Sequence, residues 1–236
     1  MAIELLNMDC MEYMRGLPDK AFDLAIVDPP YGIGEDGGKT RTKRVLQKNG
    51  ALMLCSDGGY IKKSWDKIAP SAEYFVELSR VSKSRIVWGA NYMPVIMQGG
   101  VIVWDKMNDG ADQSGAEIAH CSLNNRVDVV RYMWRGMMQG ESVGSDRQQG
   151  NKLLNEKRIH PTQKPVKLYE WLLTNYAKPG DRILDTHLGS GSSAIAAHRM
   201  GFDFVGMELD ADYYAAAVQR FDSETAQRDL FMEAAQ

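Results

Sequence analysis

Cysteine is scarce in this chain of 236 residues, and Cys10, Cys55 and Cys121 are odd in number and far apart. Three reduced thiols are expected, not a disulfide framework or a zinc site. The four histidines form no ligand spacing either, so no metal is expected. No apolar run approaches the roughly 20 residues that a membrane span needs. The opening MAIELLNMDC lacks a basic region leading into an apolar core, so no signal peptide is expected. These absences point to the cytoplasm and away from a membrane. Internal repeats and low-complexity tracts are absent as well. A positive net charge is also missing, since 28 basic residues face 31 acidic ones. That total argues against nucleic acid only if charge is spread evenly. It is not. Residues 39–48 carry Lys39, Arg41, Lys43, Arg44 and Lys48 with no acid, whereas 203–236 carry eight acids against Arg220 and Arg228. The acidic tail hides a basic patch, which by itself reads as a solvated loop.

The apolar pattern that remains is that of an ordinary globular chain. Residues 3–7, 23–27, 85–90, 99–106, 181–185 and 203–209 read as strands, and 117–134 adds two apolar stretches. Helical spacing marks 70–83, 165–178, 192–201 and 210–221, with prolines opening the first two and glycines closing the second and third. Residues 31–68 read as a glycine-rich loop, and 135–158 as a polar segment poor in large apolar residues. Strands are short apolar runs that alternate with helices, which predicts an α/β fold with a mainly parallel, doubly wound sheet covered on both faces. Ligands of such sheets bind at the carboxyl ends of the strands.

Two motifs fall at those ends. In RILDTHLGSGSSAIAAHRMG a strand leads through Gly189 and Gly191 into a helix. Glycine lets the backbone turn sharply and approach a ligand, and the amides at the helix start attract an anionic group. Glu208 ends the next strand, 17 residues after Gly191, where a carboxylate can accept bonds from both ribose hydroxyls. The unit predicts an adenosine-type cofactor. The other motif is DLAIVDPPYGIG, residues 23–34, an apolar strand that stops on Asp28-Pro29-Pro30-Tyr31. Proline donates no bond to a ladder, so the strand must end there. Asp28 and the Pro29 carbonyl then offer two acceptors at one point, which suits a planar amino group, and Tyr31 offers a flat ring beside them. Acceptors on both amine hydrogens free the nitrogen lone pair for attack, so positioning and electrostatics can carry the chemistry.

DPPY, the later DTHLGSGSSAIAA and the intervening HPTQKP resemble β-class S-adenosyl-methionine-dependent DNA amino-methyltransferases of the phage-like subgroup, in that family's order of motifs, from Met8 to about Phe221. The resemblance implies a Rossmann-like methyltransferase fold with one antiparallel strand and a circularly permuted motif order. It implies one catalytic domain over 1–236, with a target-recognition region inserted at 106–158. Asp28, Pro29, Pro30 and Tyr31 would be catalytic, with Tyr31 stacked on a flipped base. S-adenosyl-methionine would be held by Asp9 and Cys10 at its adenine, Thr162 and Lys164 at its methionine, Asp185, Gly189, Ser190, Gly191 and Ser192 along methionine and ribose, and Glu208 with Leu209 at the ribose, and Asp28 would touch it as well. Lys164 is a candidate partner for the methionine carboxylate. His187 stands where the family often has phenylalanine, and is read as a ring kept against the cofactor.

Beside a base-flipping site the basic stretch gains a role, with Lys39, Arg41, Lys43 and Arg44 as phosphate contacts. Sequence readers are sought in 106–158, among Asn108, Gln113, Asn124, Asn125, Arg126, Arg135, Gln139, Arg147 and Gln148. Trp65, Asp66 and residues 88–93 are further positions near the cleft. Asp at the head of the motif leans toward adenine N6 over cytosine N4. Double-stranded DNA is the implied partner, with a homodimer and a separately encoded restriction nuclease left open. A non-catalytic DNA-binding regulator and a nicotinamide oxidoreductase are the competing classes. The first leaves an intact Asp28, Tyr31, Gly189, Gly191 and Glu208 without purpose, and the second leaves DPPY unexplained.

Overall fold

A computed structural model of the chain describes residues 1–36, 43–46, 52–55, 63–108, 114–135, 138–140 and 151–233. The order is β1 (Ile3–Leu6), α1 (Cys10–Arg15), β2 (Phe22–Val27), β3 (Lys43–Leu46), β4 (Leu52–Cys55), α2 (Ala72–Val81), β5 (Ser82–Trp88), β6 (Gly100–Asp105), β7 (Ala116–Cys121), β8 (Val127–Arg131), β9 (Trp134–Arg135), β10 (Met138–Gln139), α3 (Val166–Tyr176), β11 (Arg182–Asp185), α4 (Ser192–Met200), β12 (Asp203–Met207) and α5 (Ala211–Glu233). Eight strands form one sheet in the order β1-β12-β11-β2-β5-β7-β6-β8. β7 runs antiparallel to both its neighbours, and the other seven strands point one way. The expected α/β sheet with one reversed strand is therefore present. β3 pairs with β4, and β9 with β10, as small separate hairpins.

The strands are apolar on both faces because helices cover both. In β2, Leu24 and Ile26 join a core with Leu168 and Leu172 of α3 and with α4, whereas Ala25 and Val27 join a second core with Met14 of α1 and Phe75, Leu78 and Val81 of α2. Each of these leucines contributes about 1.5–3 kcal/mol relative to exposure. Ala194, Ala196 and Ala197 are wholly buried in α4, so this helix can lie close to both α3 and the sheet. Glycines in the left-handed region stand at both ends of α4, Gly191 at φ 76° and Gly201 at φ 79°.

The parallel strands bring the ends of β12, β11, β2 and β5 to one edge. There the chain passes into Glu208, Thr186, Asp28 and Gly89. β7 enters that edge at its start, because Ala116 pairs with Asp105 at the end of β6. This reversal corrects two expectations. The span 106–158 is not one insertion, since β7 and β8 are strands of the main sheet. Asn124, Asn125 and Arg126 sit in the turn that links them, at the edge opposite Asp28, where the Asn124 side chain accepts from the Arg126 amide.

Helix α5 runs on to Glu233, beyond the expected end at 221. Among the described residues no helix is long and apolar enough to cross a membrane.

Candidate active site

The turn after β2 is held by a residue far along the chain. Asp66 is buried, and its Oδ1 accepts from the amides of Tyr31 at 2.7 Å and Gly32 at 2.8 Å, while Oδ2 accepts from Glu35 at 2.7 Å. Charge-assisted bonds to these three amides fix the direction in which Tyr31 points. Gly89, at the end of β5, has φ 67°, and a Cβ there would stand 2.2 Å from the Tyr31 ring. The glycine is thus required twice, by conformation and by space. Tyr92 stacks on Tyr31 with centroids 5.2 Å apart and planes 17° apart.

Asp28 follows β2 into a cluster of charge. Its Oδ1 accepts from the Tyr31 hydroxyl at 2.7 Å, and its Oδ2 lies 2.5 Å from the Lys164 ammonium. Lys164 is 4% exposed and also lies 3.0 Å from Glu117 Oε2 and 3.1 Å from the Tyr31 hydroxyl oxygen. Glu117, at the start of β7, is bonded through Oε1 to Lys106. Two carboxylates and two ammoniums thus balance in a nearly dry site. Burial pushes the Asp28 carboxyl up, and Lys164 only partly offsets this. Glu117 is also penalised by burial, but Lys164 and Lys106 together hold it down at about 2. Burial alone would lower Lys164, yet the two carboxylates raise it, so its ammonium stays charged.

The glycine turn lies beside this cluster. Glu208 accepts from the amides of Gly189 at 2.9 Å and Asp210 at 2.9 Å, one on each oxygen. Burial raises its carboxyl despite these bonds. Arg220 of α5 reaches under the turn and donates to the Ser190 carbonyl at 2.8 Å and the Ser192 hydroxyl at 2.9 Å, with Glu156 as its counter-ion at 2.8 Å. Ser192 in turn donates to the Lys164 carbonyl at 2.7 Å, which ties the glycine turn to the segment that carries the lysine.

A cavity of about 920 Å³ joins the two motifs. Of the expected residues, Asp9, Cys10, Asp28, Pro30, Thr162, Lys164, His187, Gly189, Ser190, Ser192, Glu208 and Leu209 line it. Pro29 lies buried behind it, and Tyr31 reaches it through the Asp28 bond. Asp185 stands behind the wall, where its carboxylate accepts from Ser193 Oγ at 2.6 Å and the His187 amide at 3.0 Å. Gly191 is buried at the start of α4. Asp9 caps α1, its Oδ1 accepting from the Met11 and Glu12 amides. Burial pushes the Cys10 thiol up to about 12, so it is no nucleophile at neutral pH. Burial also lowers His187 to about 4, leaving a neutral ring edge-on to Tyr74. His160 is likewise lowered to about 3, first by burial and then by Lys164, and its ring contacts Trp65 and Tyr213.

Lys164, expected on the methionine side of the cofactor, lines the cavity with its ammonium on Asp28, Glu117 and Tyr31. Tyr31 likewise has its hydroxyl on Asp28 and its ring on Tyr92. Asn108 and Gln139 are buried, donating to the backbone of Ser114 and Glu156. Arg135 is exposed in β9. Trp88 is core, packed edge-on to Trp104, with Lys164 5.4 Å from its ring. Lys39, Arg41, Gln113, Arg147 and Gln148 lie outside the described residues, and Lys43 and Arg44 are described only as part of β3. Sequence reasoning missed Glu117, Lys106 and Arg220 as site residues. The clue to Glu117 is an acid opening the strand that enters the sheet from the ligand-binding edge.

An acceptor at the end of one central strand, and a glycine turn with an acid at the ends of the next two, mark a doubly wound α/β fold of the methyltransferase type. The fold is similar to that of PvuII DNA methyltransferase (cytosine-N4-specific), with a TM-score of 0.56 and 15% identity over 94% of this chain and 86% of that one. It is also similar to the M1.HpyAVI–SAM complex, with a TM-score of 0.53 and 18% identity over 92% and 99% of the two chains. Residues 105–219 match the N6 and N4 family model described as DNA methylase. In sequence it is similar to the DNA adenine methyltransferase YhdJ of Escherichia coli (strain K12), 26% identical over 92% of this chain and 82% of that one. It is also similar to the type II methyltransferase M2.DpnII of Streptococcus pneumoniae, 24% identical over 93% and 90%.

Proposed function

We propose that the protein transfers a methyl group from S-adenosyl-methionine to the exocyclic N6 of adenine in a specific duplex DNA sequence, after flipping the base out of the stack. The observation that carries this reading is that Asp28 and the Gly189–Glu208 unit line one cavity. The adenine assignment draws on the name of YhdJ. The cavity suits the cofactor, with a glycine turn at its wall, the Glu208 carboxylate beside it and the neutral side chains of Cys10 and His187 along it. Glu208 with Leu209 would hold the ribose, Asp9 and the Cys10 backbone the adenine, and Thr162, Ser190 and Ser192 the methionine side. Bound there, the cofactor supplies an electrophilic methyl on sulfonium. The chain's own residues do the rest. Asp28 and the Pro29 carbonyl accept the two amine hydrogens and direct the nitrogen lone pair at the methyl. As the nitrogen takes the methyl it would lose one of its two protons, and Asp28, bonded to that hydrogen and raised by burial, would accept it. Tyr31 with Tyr92 is the aromatic surface offered to the base.

Phosphate contact by Lys39, Arg41, Lys43 and Arg44 belongs to the same reading, as does action in the cytoplasm. Transfer of labelled methyl to whole-genome-amplified DNA, followed by analysis of the modified base, tests the reaction. Labelled N6-methyladenine is expected, and labelled N4-methylcytosine would move the assignment to the other base. Asp28→Ala should abolish transfer with cofactor binding retained, and residual activity comparable to the parent would count against its role.

A further inference from the structure

As the groups stand, both oxygens of Asp28 are occupied, one by the Tyr31 hydroxyl and the other by Lys164 at 2.5 Å. Each oxygen keeps a further lone pair, but a target amine that donates to Asp28 competes with the ammonium for its charge, and a buried ammonium drawn off Asp28 needs another counter-ion. Glu117 already stands 3.0 Å from the same Nζ on its far side. Lys106 on its other oxygen fixes its rotamer, and the Tyr31 hydroxyl lies 3.3 Å from Oε2. We propose that Glu117 is a positioning residue for the methyl transfer: it draws the Lys164 ammonium off Asp28 when the target amine arrives. The inference rests on the reaction proposed above. No proton changes hands in the exchange, because an ammonium only shifts between two carboxylates. The free Asp28 oxygen then meets the amine hydrogen.

The exchange has a signature in pH. The groups that face Lys164 are Asp28 and Tyr31 after β2, Trp88 of β5, Glu117 of β7 with Lys106 behind it, His160 in its own segment and Tyr169 of α3. Burial works against the ammonium, and Asp28 and Glu117 outweigh it. Removing Glu117 deletes one of the two carboxylates that keep it charged. Its titration then moves down toward the range an assay can reach, and deprotonation would release Asp28.

The test compares the wild type, Glu117→Gln, Glu117→Asp and the double variant Glu117→Gln/Lys164→Met. All are assayed with S-adenosyl-methionine and whole-genome-amplified DNA, with cofactor affinity measured by calorimetry. Glu117→Gln should lose at least about tenfold in kcat at neutral pH, with cofactor Kd changed less than about twofold. Its kcat should climb as pH rises, while that of the wild type does not. Glu117→Asp should recover part of the rate, and the double variant should be faster than Glu117→Gln. A wild-type rate in Glu117→Gln would overturn the proposal. So would a loss with an unchanged pH profile and a slower double variant, since that pattern marks a purely structural glutamate. If the wild type itself transfers no methyl group, the reading of the reaction fails, and the role of Glu117 falls with it.

Discussion

Asp185 is a carboxyl that the fold keeps away from water. Burial raises it to about 7, against the Ser193 hydroxyl and the His187 amide, which favour its charge. The folded protein therefore holds a proton that the unfolded chain, with an aspartate near 4, has already released. Between about pH 4 and pH 7 the native state binds more protons than the unfolded one, so this residue makes stability fall as pH rises through that window. Asp185→Asn keeps the shape, can accept from the His187 amide and can donate to Ser193, but cannot ionise. Its thermal midpoint should lose less than the parent's when pH is raised from about 4 to about 7. Equal slopes in calorimetry at matched ionic strength would contradict the assignment. The same burial that raises Asp185 also raises Asp28. Activity that needs the Asp28 carboxylate is therefore lost on acidification at a higher pH than an exposed aspartate would allow.

At the scale of elements, α5 does more than cover the sheet, because its Arg220 holds the glycine turn from below. Arg220 and Glu156 form a buried pair joining residues 64 apart. Removal of one partner strands the other, which typically costs about 3–5 kcal/mol. Arg220→Gln should lower the denaturation midpoint accordingly and weaken cofactor binding, since the Ser190 carbonyl and the Ser192 hydroxyl lose their donor. Glu156→Gln/Arg220→Gln should regain part of the stability, because no buried charge is left alone, and chemical denaturation of the three variants reads this out. The elements themselves are largely legible in the sequence. β2, β11, β12, α3 and α4 declare themselves through short apolar runs, helical spacing and glycine or proline stops. The six-residue α1 is easily read as a turn, although Asp9 followed by Glu12 is a helix-start pattern. The β3–β4 hairpin hides in a basic segment, and the last turns of α5 hide in a polar one. In the site, Asp28, the glycine turn and Glu208 can be found because each motif is contiguous. Glu117 and Arg220 cannot, because each reaches the site from a segment far along the chain, and Asp66 is legible as a position near the cleft but not as the anchor of the Tyr31 turn. Lys164 is legible as a site residue but its partner is not, since no spacing tells which acid a buried lysine will meet.

At the scale of the whole molecule, topology does what no local motif can. Seven strands pointing one way gather four strand ends at one edge, and the single reversed strand adds Glu117 to them from the opposite direction. The chemistry is thus concentrated at one rim, where Lys164 and Lys106 offset Asp28 and Glu117, and the chain carries a net charge of −3 overall. A polyanion is not drawn to such a surface by total charge. Its attraction must come from local basic groups, and the densest run of these in the chain is 39–48. Each phosphate neutralised on duplex DNA contributes about 0.9 to the slope of log affinity against log salt. Replacing Lys39, Arg41, Lys43 and Arg44 by glutamine should therefore weaken binding across all sequences. The slope should flatten by about 0.9 for every phosphate no longer neutralised, with the preference among sites unchanged. Fluorescence titration of a specific and a scrambled duplex at several salt concentrations separates the outcomes. A slope equal to the parent's would remove these residues from the DNA surface, and a weakening confined to the specific duplex would make them readers of sequence rather than of phosphate.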